Sequence, residues 1–121
     1  MITEGMIEKA RELGRLIGQA YEYKVLERAR ERFSNDRDAV ERVNALARIE
    51  DQIGKSLQAD QEPAEATREE YERLFGELQS NASYQGVIAA QSNFDRILAK
   101  VNEEISRGVE SGASSRIILP S

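Results

Sequence analysis

The side chains that could do acid–base chemistry form three adjacent carboxylate pairs: Glu50 with Asp51, Glu69 with Glu70, and Glu103 with Glu104. Such catalysis needs two groups that converge on one substrate. Neighbouring residues on a helix diverge by about 100°, so these pairs are expected to be solvated helix faces. The chain has no histidine and no cysteine. That removes Ser-His-Asp and Cys-His nucleophiles, zinc sites built on those ligands, and the Glu-x-x-His pairs of di-iron bundles. The eight glycines are scattered and form neither G-x-G-x-x-G nor a Walker loop. No catalytic, metal-ligating or cofactor-binding residue is assigned, and the chain is expected not to be an enzyme.

A second kind of chemistry is contact with nucleic acid. Lys24, Arg28 and Arg32 recur every four residues and would share one helix face. Glu27 and Glu31 stand beside them at spacings that favour ion pairs, so a salt-bridged surface is expected ahead of an RNA-contacting stripe. The net charge of −5 argues against general nucleic-acid binding, which depends on neutralising phosphates. The acid excess is local. Asp60 to Ser80 holds seven acids against Arg68 and Arg73, whereas Glu22 to Arg48 is nearly balanced.

The elements that position these groups read as helices. Of the 121 residues, 32% are charged, only two are proline (Pro63 and Pro120), and β-branched runs are nearly absent. The length suits one domain with one core. No run of about 18 apolar residues occurs, so direct membrane insertion is not expected. The opening MITEGMIEKAREL carries early acids and no apolar centre, which predicts no secretion signal. The lack of cysteine fits a cytoplasmic protein.

Periodicity and punctuation place five helices. The first covers roughly Thr3 to Gly18, with Met6, Ala10, Leu13 and Ile17 on one face and a break near Gln19. The second runs roughly from Tyr21 to Phe33, and Ser34–Asp36 then reads as a stop and a fresh N-cap. The third spans about Asp36 to Leu57, with Val40, Val43, Leu46, Ala47, Ile53 and Leu57 on one side. QADQEPAEA around Pro63 is a loop. The fourth helix, about Ala64 to Gln79, carries Tyr71, Leu74, Phe75 and Leu78. The fifth starts at a cap on Ser80 or Asn81 and ends near Arg107. Beyond it, residues 108–121 read as a flexible Gly/Ser-rich tail whose RIILP could dock as a short linear peptide.

Along the fifth helix Tyr84, Val87, Gln91, Phe94, Leu98, Val101 and Ile105 follow alternating gaps of three and four. That is a heptad seam with one polar member. It is expected to be core first, with Tyr84, Val87, Gln91, Phe94 and Leu98 as candidates for an oligomer or partner interface. Short loops favour antiparallel neighbours, so the third, fourth and fifth helices are expected to pack together. The fourth is too short to cover the fifth, and either the third helix or a second chain must shield the rest. The expected fold is an all-α antiparallel bundle of about five helices with a long C-terminal helix, forming dimers.

The order of these signals resembles the YlbF/YmcA family of small bacterial regulatory proteins. ARELGRLIGQAYEYKVLERARERFSNDRDAVERVNALARIEDQIG matches its opening: an A-x-x-L-G-x-x-I first helix, then Glu22, Tyr23 and Ala29 of the second, then a cap at Asn35–Asp36. FDRILAKVNEEI looks like the family's final helix, with Asn81 where those proteins often have Asn-Pro. The likeness covers about residues 2 to 107. It implies a cytoplasmic helical protein without a catalytic site that forms dimers or larger complexes. It implies a link to competence, sporulation and biofilm development, and to a complex that assists the endoribonuclease RNase Y in maturing mRNA. Some members carry cysteines linked to iron–sulfur clusters; this chain has none, so no cluster is carried over.

The resulting expectation is a regulatory adaptor that works by protein–protein contact. Its expected partners are itself, sister family proteins and an endoribonuclease, with no small-molecule substrate. The alternative is a direct RNA-binding helical module using Lys24, Arg28 and Arg32.

Overall fold

Thr3 opens the first helix because its hydroxyl accepts the otherwise unpaired Met6 N–H at 3.2 Å. The computed structural model describes residues 1–118, with side chains described to residue 114. It contains α1 (Glu4–Gly18), α2 (Tyr21–Ser34), α3 (Arg37–Gln58), α4 (Glu65–Gln79) and α5 (Ala82–Ile118). The protein is all-α, and its helices pack against one another. None of the described helices is long and apolar enough to cross a membrane.

The joints follow local chemistry. Ala20 lies in extended backbone between α1 and α2, which breaks the helix one residue after Gln19. Asp36 caps α3 by accepting the Ala39 N–H at 3.2 Å. At the other end of α3, Asp60 adopts a left-handed φ of 55°. Gln61 N–H then donates to the Ser56 carbonyl at 2.9 Å and Asp60 N–H to that of Leu57 at 3.1 Å. This is the Schellman closure that usually carries glycine at its left-handed position.

Packing divides the chain into two antiparallel helix pairs. α3 lies on α4 around Leu46, Ile49, Leu74 and Leu78, with Val43, Ile53, Tyr71 and Tyr84 against that cluster. α5 lies mainly on α2 and only lightly on α4. The Tyr23 and Phe94 rings stand 5.3 Å apart, and those of Phe33 and Tyr84 6.5 Å. Ten residues forward on α2 thus match ten residues back on α5, so the two helices run antiparallel in one register.

This pairing corrects the expected grouping of the third, fourth and fifth helices. The cover of the seam is α2. The reason lies in small side chains: Ser83 and Ala90 are the most buried residues of α5. Ala90 lies at about the level of Leu26 of α2 in this register, and the Leu26 side chain is fully buried.

A second correction concerns the end of α5, which continues in helix from Arg107 to Ile118. Gly108 and Gly112 each cost about 1 kcal/mol relative to alanine in a helix, yet neither takes the positive φ that ends one. Arg107 also braces this segment by pairing with Glu103 at 2.9 Å and Glu104 at 3.0 Å. The last residues of RIILP, 119–120, lie outside the described residues, as does residue 121.

Candidate interaction site

The seam residues fall on the α2–α5 pair. Tyr84, Val87, Phe94 and Leu98 are half-buried, and Tyr84 and Phe94 meet aromatic rings of α2. Gln91 sits at the margin, where its carbonyl accepts from Arg30 Nη2 at 3.1 Å and its amide donates to Asp95 at 2.9 Å. Its polar atoms are therefore paired, which removes the penalty for an amide among apolar neighbours. The same bond ties α2 to one position along α5. These contacts lie within one chain and join α5 to α2.

Two helix starts meet at the other end of the pair. Asn81 caps α5 by accepting the Tyr84 N–H at 2.9 Å, and its amide donates to Asp36 at 3.1 Å. The Ser83 hydroxyl, the Ala39 N–H and the Asn81 amide hold the Asp36 carboxyl below the usual carboxylate range. Sequence reading found both caps, but nothing in the sequence joined them.

On the α3–α4 face Arg42 donates to Glu77 at 3.0 Å, and Arg73 pairs with both Glu77 and Glu70. The hydrogen bond from Arg42 and the nearby Arg73 hold Glu77 below its ordinary range. These groups line an open groove of about 500 Å³ with Asp38, Asn44 and Arg48. Among the described residues the Arg42–Glu77 pair alone crosses the groove and ties α3 to α4, while Arg73 pairs within α4.

The three carboxylate pairs do not converge. Asp51 pairs with Lys55 at 3.1 Å, Glu70 with Arg73, and Glu103 and Glu104 with Lys100 and Arg107. Among the described residues no group of three or more carboxylates is placed to hold a metal ion.

Lys24, Arg28 and Arg32 are exposed on the solvent side of α2. Among the described residues none of them lies within 4.0 Å of a carboxylate. The expected ion pairs with Glu27 and Glu31 are thus absent. Glu27 and Glu31 are exposed as well, and exposed side chains lose little by staying solvated.

The apolar face of α1 is only partly covered, with Leu13 and Ile17 half-buried and Met6 and Ala10 exposed. The face of α1 carrying Met6, Ala10, Leu13 and Ile17 buries no residue fully, although the helix is sharply two-sided. Its Leu13 lines a groove with Lys100, Val101, Glu104 and Ile105 of α5. From Asn102 to Ser114 every residue of α5 is exposed, including Ile105 and Val109. The signal available in the sequence was length: α5 outruns every other helix.

No curated protein and no solved structure matches the chain. The family model described as control of competence regulator ComK, YlbF/YmcA, matches residues 6–110. That span runs from the first turn of α1 to the exposed part of α5 and takes in both helix pairs. With most of its length matched, the chain belongs to the YlbF/YmcA family, which is linked to control of the competence regulator ComK.

Proposed function

We propose that this chain is a non-catalytic regulatory adaptor of the cytoplasm that acts by protein–protein contact. The observation that carries this reading is the apolar surface shared by α1 and the end of α5. Met6, Leu16, Ile105 and Val109 are 57%, 65%, 50% and 66% exposed, and monomeric proteins seldom expose a large contiguous apolar patch without a partner. Its partners are a second copy, sister family proteins, and an endoribonuclease such as RNase Y whose mRNA maturation it assists. Competence, sporulation and biofilm development are the processes it serves. It takes no small-molecule substrate.

The test is affinity capture of the tagged chain from its native lysate, with and without ribonuclease, read by mass spectrometry. Recovery of an endoribonuclease or a sister protein in both samples is the expected result. Capture of nothing but the chain itself would overturn the adaptor role.

One observation favours a second reading, a direct RNA-binding module. Among the described residues Lys24, Arg28 and Arg32 have no carboxylate partner within 4.0 Å, which leaves their charges to face phosphates on this reading. On that reading, captured partners vanish with ribonuclease, and reversing the three charges abolishes RNA retention at low salt.

A further inference from the structure

α5 leaves the α3–α4 pair for α2, and one flank of that pair stays open as a result. Val43, Ala47, Glu50, Gly54 and Leu57 follow steps of four and three along α3, so they share this flank. Phe75 of α4 lies across from them, with the Tyr71 ring stacked on it at 5.9 Å. Between the two helices, Val43, Leu46, Ala47, Phe75 and Leu78 line a groove of about 230 Å³, and Tyr84 is the one residue of α5 that reaches it. Leu57 and Phe75 are 61% and 37% exposed, and Gly54 faces open space.

The shape of the groove suits a helix. Its volume falls below the about 300–1,000 Å³ of small-molecule sites and fits a bulky anchor side chain instead. Val43 and Leu57 lie about 21 Å apart along α3 at 1.5 Å per residue. That is about four turns of helix, the length over which an amphipathic helix lays its anchors into a groove.

Charge selects the kind of helix. Glu50 stands on the α3 rim of the groove, and Glu72 stands one turn before Phe75 on α4. Glu65 and Glu69 share the outward face of Glu72 by their spacing of four and three. All four are exposed. Among the described residues none of them has a cation within 4.0 Å. The arginines of α4 are already engaged, Arg68 with Glu62 and Arg73 with Glu70 and Glu77. An apolar floor under a negative rim attracts a basic segment and repels phosphates and anionic lipid. A second copy fits poorly, because the chain carries a net charge of −5. Its own basic row lies on α2, whose apolar side, with Leu26 fully buried, is taken up by α5.

We propose that the groove between α3 and α4 seats a basic amphipathic helix of another protein. A large apolar side chain of that helix enters between Ala47 and Phe75, and its Lys or Arg side chains meet Glu50 and Glu72. This surface shares no residue with the α1–α5 face, and the proposal stands independently of that contact.

The experiment titrates a fluorescein-labelled peptide of about 14 residues with the full chain and reads fluorescence anisotropy. The peptide carries leucines along one helical face and lysines beside them. Binding is expected with a Kd on the order of 10 μM. Glu50→Lys and Glu72→Lys alter exposed positions, so both variants should keep their helix content by circular dichroism. Combined, they should weaken the peptide by more than about tenfold. Glu27→Lys makes the same kind of charge change on α2 and should alter the affinity by less than about twofold. The chain has no cysteine, so Ala47→Cys gives a single site for a bimane fluorophore. Its emission should shift to the blue when the unlabelled peptide is added.

A peptide that does not bind overturns the proposal. Equal binding by a scrambled peptide of the same composition does so too, because attraction by charge alone needs no groove. Equal weakening by Glu27→Lys and by Glu50→Lys has the same meaning. A blue shift that grows with the concentration of the chain, with no peptide present, would give the groove to a second copy and overturn the assigned occupant.

Discussion

Asn81 donates to Asp36 at 3.1 Å across 45 residues of sequence, and each of the two residues caps the helix that follows it. One hydrogen bond thus fixes the start of α3 against the start of α5, at the junction of the two helix pairs. Replacing Asn81 by alanine removes the cap of α5 and a partner of Asp36 together. The expected loss is about 1 kcal/mol or somewhat more, read from urea unfolding followed by circular dichroism.

Asp36 and Glu77 both have folded-state pKa values below their ordinary ones. Groups of that kind contribute stability above the unfolded pKa and lose it as pH falls through the folded pKa. Stability should therefore hold near neutrality and decline as pH drops below about 4. In Asp36→Asn the decline should be shallower than in the wild type. Denaturant midpoints measured across that range check the difference in slope.

Leu26 is the fully buried anchor of α2 on α5. Its replacement by alanine should cost about 2–5 kcal/mol. Enlarging a small buried residue of α5, as in Ala90→Leu, should cost about 1–3 kcal/mol by forcing neighbouring helices apart. Thermal unfolding of both variants tests whether the α2–α5 pair, not the α3–α5 pair, holds the long helix.

Asp60 occupies the left-handed position that closes α3. Glycine adopts that conformation without strain, so Asp60→Gly should raise stability by about 0.5–1 kcal/mol. A fall in the unfolding midpoint would show that the Asp60 side chain has another role.

Helix starts were legible because Thr3, Asp36 and Asn81 are the residue types that accept first-turn N–H groups, and all three do so here. The stop at Gln19 and the loop at Pro63 were legible for similar reasons. The partner of each helix was not. Periodicity shows which face of a helix is apolar but not what meets it, and the deciding residues, Ser83 and Ala90, are small and carry no strong pattern. The end of α5 was misread because Gly108 and Gly112 resemble a terminating loop, whereas they only weaken a helix that Arg107 and its acids support. The open part of the α1 face was hidden by its own regularity: an apolar stripe looks the same whether it meets the chain's own core or a partner.

The chain's four lysines sample different surfaces: Lys9 on α1, Lys24 on the outer side of α2, Lys55 near the end of α3 and Lys100 on α5. Cross-linking mass spectrometry of the captured complex therefore reads directly where the partner sits. Intermolecular links concentrated at Lys9 and Lys100 are the expected result and place the contact on the α1–α5 face. Links confined to Lys24 and Lys55 would contradict it.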